Sequence, residues 1–462
     1  MKHFDALVIG SGQAGTPLAI QMAHAGYTTA LIEKRAVGGT CINDGCIPSK
    51  SLIASAKTAY TVAHAPELGI YNTDAFRVHF NEIIERKRGI VSRFRNGSER
   101  SLEKTSNLEL IMGIAAFSGD KEVTVTGIDG RQQVLTADYI FINTGARPFI
   151  PPLPGLEESG YLTSTSVMEL DELPQHLIIL GAGYVSLEMG QAFRRFGSQV
   201  TLIESKSHIL DKEDEDIRQA VAGFLEEEGI TLLTDARVEE VSRNSKQDIV
   251  LRIEKNGIPA IVTGSHLLVA AGRQPNSDIL QPEKAGIIPD AHGYIKVNDR
   301  LETSADRIFA LGDANGGPAF THISYNDYRI VYRNLVEGAS LSTKDRIVPY
   351  CMFTDPELGR VGLTEKEARA KGLRIKVARL EMEKATRGII DHKPKGLLKA
   401  IVDEDSGKIL GAALLCNNGG EIMSVLQMAM VAGFSYEQVK EHMFAHPTLS
   451  ESLNNLFFSL EL

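Results

Sequence analysis

The residues best suited to chemistry are Cys41 and Cys46, in the segment GGTCINDGCIPSK at 38–50. A thiolate attacks disulfides, takes up electron pairs and binds soft metals. On an ideal α-helix a five-residue offset is about 7.5 Å of rise and about 140° of rotation, leaving the Cα atoms roughly 8–9 Å apart. A disulfide needs less than about 7 Å. If the two sulfurs bond, the segment is not one regular helix, and Gly45 is placed to absorb the distortion. A short, strained loop also makes such a bond easy to reduce. A zinc site would call for a second cysteine pair or well-spaced Cys/His partners, which the sequence lacks. Two packed thiols are the remaining alternative. Cys351 and Cys416, flanked by apolar residues, read as buried and inert. Four cysteines in 462 residues are too few for a disulfide framework, and in a reducing compartment a close pair is redox-active or metal-binding.

The elements that would position this pair come from an internal repeat at an offset of 171. Residues 5–34 and 176–205 share Gly10/Gly181, Gly12/Gly183, Gly26/Gly197, Leu31/Leu202, Ile32/Ile203 and Glu33/Glu204. Each copy reads as an apolar strand, a glycine turn, a helix, a glycine stop and a second strand ending in Glu. The first glycine allows the tight turn, the second lets backbone approach a pyrophosphate, and the helix start offers unpaired N–H groups. The terminal Glu, 23 residues after the first glycine in both copies, suits ribose hydroxyls. Gly15, third glycine of the first copy, is replaced by Ser186 in the second, still small enough for close packing. Two dinucleotides in one chain point to electron transfer between them. The bland alternative is a pair of glycine turns without nucleotide.

The length predicts about three domains. The net charge of −10, with 43% apolar and 23% charged residues, describes a globular chain and argues against polyanion binding. The most basic stretch, Arg86 to Arg100, reads as a solvated helix face. No apolar run reaches the roughly 18 residues of a membrane span. A strand pattern at Ala6–Ile9 follows the start with no signal peptide, so a cytoplasmic location is expected.

The cysteine segment resembles the active-site segment of the flavin-dependent pyridine nucleotide–disulfide oxidoreductases, the family of dihydrolipoamide dehydrogenase, glutathione reductase and mercuric reductase. The resemblance extends over essentially the whole chain: INTGARP at 142–148, AGRQPN at 271–276, ALGD at 310–313, FTDPE at 353–357 and HPTLSE at 446–451 are similar to successive family motifs. It implies an α/β fold of two Rossmann-like domains and a C-terminal α+β dimerisation domain. The expected boundaries are 1–148 and 274–341 for FAD, 149–273 for NAD(P), and 342–462 for dimerisation.

By this resemblance Gly10, Gly12, Gly15, Glu33, Thr40, Lys50, Thr144, Gly145 and Asp313 contact FAD. Gly181, Gly183, Tyr184, Glu204 and Gly272 serve the nicotinamide cofactor. Cys46 is the charge-transfer thiolate and Cys41 the interchange thiol. His446, contributed across a homodimer and oriented by Glu451, moves the proton, and Lys50 with Glu188 forms an ion pair beside the flavin. Tyr184 covers the flavin until nicotinamide arrives, and His322 resembles a position near the flavin. Glu204 favours NADH over NADPH because a carboxylate repels a 2′-phosphate, with Lys206 softening the preference. The tail lacks the cysteine pair of mercuric reductases. The stretch Ser324–Val331 and the tail look most like the bacterial reactive-chlorine-resistance branch, which implies a small disulfide or oxidant such as hypothiocyanite as substrate. A metal-ion (mercuric or copper) reductase and a non-enzymatic redox sensor are the alternatives. Neither nucleic acid nor membrane is an expected partner, and no resident metal is expected.

Overall fold

A computed structural model describes residues 1–71 and 76–461. The chain divides into two compact units. The first comprises Met1–Ser51, Ile84–Phe149 and Gly272–Arg346, and the second Leu52–Ile83, Ile150–Ala271 and Ile347–Leu462.

The first unit is built on a seven-stranded sheet. Strands β1 (Lys2–Ile9), β2 (Thr29–Glu33), β3 (Leu108–Met112), β4 (Ile114–Gly119), β5 (Glu122–Thr126) and β6 (Gln132–Ile142) lie in the order β3-β2-β1-β6-β5-β4. Every residue of β2 is buried, as is the second half of β1. This is the continuous apolar run of a parallel strand covered on both faces. At eleven residues, β6 is long enough to serve several neighbours. Along one edge it pairs parallel to β1, while its first half pairs antiparallel to β5 and its end takes Ile308–Ala310. Helix α1 (Gly15–His24) returns the chain from β1 to β2, burying Leu18, Ala19, Met22 and Ala23.

Two helices carry the cysteines, α2 (Gly39–Asn43) and α3 (Cys46–Ala63). Pro48 lies in the first turn of α3, where a missing N–H costs nothing. Helix α4 (Phe80–Glu103) bears the basic stretch. That stretch is only partly the solvated face expected from sequence. Lys87 is fully buried, Arg86 donates to Ser51 Oγ at 3.0 Å, and Arg95 donates to Asn43 Oδ1 at 2.7 Å. Charge density alone does not say which cations have a buried acceptor to meet.

The second unit contains the second repeat. Thr231–Leu233, Gln199–Ile203, His176–Leu180 and His266–Val269 form a parallel sheet in that order, beside an antiparallel three-stranded sheet at 236–264. Helix α5 (Tyr184–Phe196) follows the glycine turn, and α6 (Glu215–Glu227) comes next. The C-terminal part is a five-stranded antiparallel sheet, ordered Pro349–Met352, Glu357–Gly362, Ile409–Cys416, Leu397–Asp403, Ile375–Glu381. Cys416 is buried and its thiol pushed up to about 12 by burial, in keeping with an inert thiol. Cys351, on the edge strand, is only half-buried, so the expectation for it needs correcting. Edge strands leave one side uncovered.

One face of α5 is polar and buried. Glu188 accepts from Phe353 N at 2.9 Å, Gln191 both accepts from and donates to the Asp355 backbone, and Arg195 donates to Asp355 and Glu228 at 2.9 and 2.7 Å. Burial alone would raise Asp355, but the Arg195 and Lys57 charges hold it below its usual range.

Glu213 is less well provided for. Tyr350 donates to Oε1, whereas Oε2 lies 3.4 Å from Arg360 Nε without a hydrogen bond. Burial therefore dominates the opposing Arg360 charge and lifts Glu213 from 4.5 to about 7. A carboxylate raised on folding contributes stability that is complete below pH 4.5 and lost as pH rises through about 7. Glu213→Gln should therefore flatten the fall in stability across that window, read as urea midpoints at several pH values. Parallel profiles for the variant and the parent would contradict this.

Candidate active site

The two glycine turns are geometric copies. Gly10 (φ +102°) and Gly181 (φ +96°) both occupy backbone that side chains avoid, and each N–H donates at 2.8 Å to the carbonyl of Ile32 or Ile203. Glu33 Oε2 accepts from Ser11 N at 3.0 Å and Glu204 Oε2 from Ala182 N at 3.0 Å. The other oxygen of each carboxylate accepts from Arg35 N at 2.9 Å or Lys206 N at 3.0 Å. Each Glu thus braces its own turn while keeping lone pairs for a further donor. Lys206 Nζ is engaged by Asp211 at 2.6 Å, on which His208 also leans at 3.1 Å. Ser186 is fully buried, as close packing requires, with a hydroxyl that finds no partner.

The thiols sit where α2 gives way to α3. Asn43 closes α2 and is pinned by its amide to Val37 O and Gly39 O at 3.0 and 2.9 Å. Asp44 leaves helical geometry (φ −138°) and pairs with Arg35. Gly45 does not work through unusual dihedrals as expected, for its φ is not in the left-handed region. It gives room: a Cβ there would stand 2.9 Å from Thr40 O and 3.3 Å from Cys41 Cα. Cys41 and Cys46 consequently come near enough to act on one another, and the Cys41 thiol is pushed up, first by Cys46 and then by burial. Cys46, first residue of α3, is exposed, with Sγ 3.4 Å from Thr321 Oγ1. Thr321 opens α7 (Thr321–Val336). Sequence reasoning singled out its neighbour His322 and missed Thr321. His322 is exposed and stacks on Phe320.

The first unit also brings Thr40, Lys50, Thr144, Gly145, Gly272 and Asp313 into one body with the cysteines. Thr144 Oγ1 is buried without a hydrogen-bond partner. The part-buried Asp313 carboxyl, 3.5 Å from Arg273, is raised chiefly by burial. A Cβ on Gly12 or Gly15 would strike the Asn143 amide. The orphaned Thr144 hydroxyl and the close glycine turn fit a flavin dinucleotide. In the second unit, nothing lies within 4 Å of a Cβ placed on Gly183, whose backbone is extended, and Tyr184 next to it is 36% exposed. That open turn suits a second dinucleotide. Elsewhere in this unit, His446 Nδ1 lies 2.9 and 3.0 Å from the two Glu451 oxygens, with the imidazole largely exposed. Lys50 lies in the first unit and Glu188 in the second. Among the described residues no three His, Cys, Asp or Glu side chains gather to hold a metal ion, and no helix is long and apolar enough to cross a membrane.

Residues 4–327 match the family model of pyridine nucleotide-disulphide oxidoreductases, and residues 348–457 match the dimerisation domain of that family. The chain belongs to the pyridine nucleotide-disulphide oxidoreductase family, whose members are enzymes using FAD and a pyridine nucleotide. It is 40% identical over 461 residues, 99% of both chains, to the probable pyridine nucleotide-disulfide oxidoreductase RclA of Escherichia coli. It is 34% identical to a mercuric reductase of Staphylococcus aureus, across 97% of this chain and 81% of that one. Among solved structures, the HOCl-induced flavoprotein disulfide reductase RclA from Escherichia coli superposes with a TM-score of 0.89 at 39% identity, covering 98% of this chain and 99% of that one.

Gly45→Ala should force α2 and α3 apart, because the obstructing atoms are backbone. The thiol–disulfide equilibrium of Cys41 and Cys46 should then shift toward the dithiol by about 30 mV or more. A redox titration against dithiothreitol buffers measures this, and an unchanged potential would show that the room at Gly45 is not what closes the pair.

Proposed function

We propose that the protein is an NADH-dependent FAD disulfide reductase that passes electrons through a Cys41–Cys46 disulfide to a small disulfide or oxidant. The observation that carries this reading is the meeting of the two thiols at the α2–α3 break, in the same unit as a glycine turn fitted to a dinucleotide. FAD, when bound, supplies a two-electron relay between nicotinamide and disulfide. Residues 1–148 and 274–341 hold it in this reading, 149–273 hold NADH, and 342–462 pair two copies into a homodimer.

The chemistry of the chain's own residues then follows. In the dithiol form Cys46 carries the negative charge and Cys41 the proton, which fits the upward push on Cys41. Cys41, once deprotonated, attacks the substrate disulfide, forming a mixed disulfide and expelling one thiolate. Cys46 then attacks the Cys41 sulfur, closing the intramolecular bond and releasing the second thiolate. His446 accepts the Cys41 proton and returns it to a leaving thiolate, while Glu451 fixes the ring through Nδ1 and leaves Nε2 for that task. The exposed imidazole suits a group that works on another copy's thiols. Lys50 and Glu188 are assigned to the flavin's surroundings. Glu204, facing a 2′-hydroxyl, sets the preference for NADH, and the Lys206 charge that would soften it is occupied by Asp211.

A metal-ion reductase is the second reading, favoured by the likeness to mercuric reductases. A passive redox sensor has no use for a His446–Glu451 pair. An NADH-oxidation screen across lipoamide, oxidised glutathione, hypothiocyanite, Hg(II) and Cu(II) tests the substrate class. Turnover should be fastest on a disulfide or small oxidant and vanish in Cys41→Ala; activity confined to metal ions would overturn the reading. His446→Ala should lose about 100-fold in disulfide turnover while reduction of a dye acceptor is retained. Equal losses on both acceptors would remove His446 from the thiol chemistry. Glu204→Ala should narrow the NADH/NADPH ratio of kcat/KM by about tenfold, and an unaltered ratio would count against its role.

A further inference from the structure

We propose that Asp211 is a second specificity-determining residue of the nicotinamide site. By holding Lys206 and His208 it denies a dinucleotide 2′-phosphate the basic groups that would bind it. The inference rests on the assignment of NADH above and names a group that enforces it beside Glu204.

Glu204 follows the strand Gln199–Ile203, and the segment it opens folds back onto the glycine turn. Ala182 of that turn anchors both ends of the segment. Its N–H donates to Glu204 Oε2 at 3.0 Å, and its carbonyl accepts from Leu210 N at 3.2 Å. Leu210 itself is held in the left-handed region (φ +50°), where leucine is uncommon, with Ile209 buried before it and Glu213 N donating to its carbonyl at 2.9 Å. Backbone bonds therefore place Asp211, the next residue, beside the turn. Between Glu204 and Asp211 the basic side chains are Lys206 and His208, and Asp211 takes both. Its Oδ2 accepts from Lys206 Nζ at 2.6 Å, while Oδ1 lies 3.1 Å from His208 Nε2. The His208 Nδ1 in turn lies 2.9 Å from Ser207 Oγ, which fixes the ring from its other side. The Lys206 ammonium, and after it His208, hold the Asp211 carboxyl below its usual range, so the clamp is charged at neutral pH. A 2′-phosphate brings roughly two negative charges and needs a cation in contact. Repulsion from exposed carboxylates alone is screened over about 8 Å at physiological salt. Occupying the nearby lysine acts at contact range, where screening is weakest. A free 2′-hydroxyl makes no demand on that lysine and is indifferent to the clamp.

The test compares holoenzyme carrying Asp211→Asn, which keeps the shape and removes the charge, with the double variant Asp211→Asn/Lys206→Gln, which removes the released ammonium as well. Calorimetry measures the affinity for adenosine 2′,5′-bisphosphate against that for AMP, which lacks the 2′-phosphate. Steady-state kinetics with NADPH and NADH are recorded in parallel. Asp211→Asn should tighten the bisphosphate about tenfold relative to AMP and improve kcat/KM for NADPH by a similar factor, the gain lying in KM. The gain should shrink with added salt, and the double variant should lose it. An Asp211→Asn enzyme that binds the bisphosphate like the parent would overturn the inference. So would a double variant that keeps the gain, since plain repulsion by Asp211 would then explain it. If the parent uses NADPH as readily as NADH, the cofactor reading fails and takes this inference with it. If the parent prefers NADH and only the Asp211 comparison is flat, the preference belongs to Glu204 and this inference alone falls.

Discussion

Two sulfur atoms five residues apart meet here because one helix stops before the next begins. The stop is built from several small devices acting on one turn. Asn43 ties its amide back to the carbonyls of Val37 and Gly39, Arg95 reaches Asn43 from α4, and Arg35 holds Asp44 outside the helix. Gly45 then allows the start of α3 to press against Thr40 and Cys41. Without the break, the geometry of a continuous helix would keep the thiols apart. With it, they come near enough that the protonation of one bears on that of the other.

The same economy governs the nucleotide turns. Each terminal carboxylate has a structural duty before any ligand arrives, since it satisfies N–H groups of the turn that precede the helix start. That duty explains why both copies place Glu at the same offset even though their surroundings differ. Glu33 is buried, whereas Glu204 is flanked by the exposed Lys206 and Asp211 pair. A preformed turn loses little freedom on binding, so less of the dinucleotide's binding energy goes into ordering the chain.

Helix α5 shows how the second unit is tied together. Its buried face carries Glu188, Gln191 and Arg195, spaced to lie along one side, and they engage the short segment 353–355 through backbone and side-chain groups. A buried charge of this kind is tolerated because it is doubly paired; loss of one partner would strand the others in a poorly solvated place. Glu213, with one oxygen lacking a hydrogen bond, shows the opposite outcome, in which desolvation wins and the proton is retained to higher pH.

Much of this was legible in the chain itself. The repeat, its strand–turn–helix order, the cysteine pair and the His446–Glu451 spacing are local patterns, and local patterns survive in one dimension because backbone geometry ties them to sequence offset. Other features were not legible. The burial of Lys87, the half-exposure of Cys351, the spatial role of Gly45 and the contact between Thr321 and Cys46 each depend on what a distant segment places nearby. Residue types and spacings determined that two thiols, two glycine turns and an imidazole–carboxylate pair exist. Only tertiary packing decided which hydroxyl faces which sulfur and which carboxylate keeps its proton, because desolvation and hydrogen bonding are set by neighbours in space.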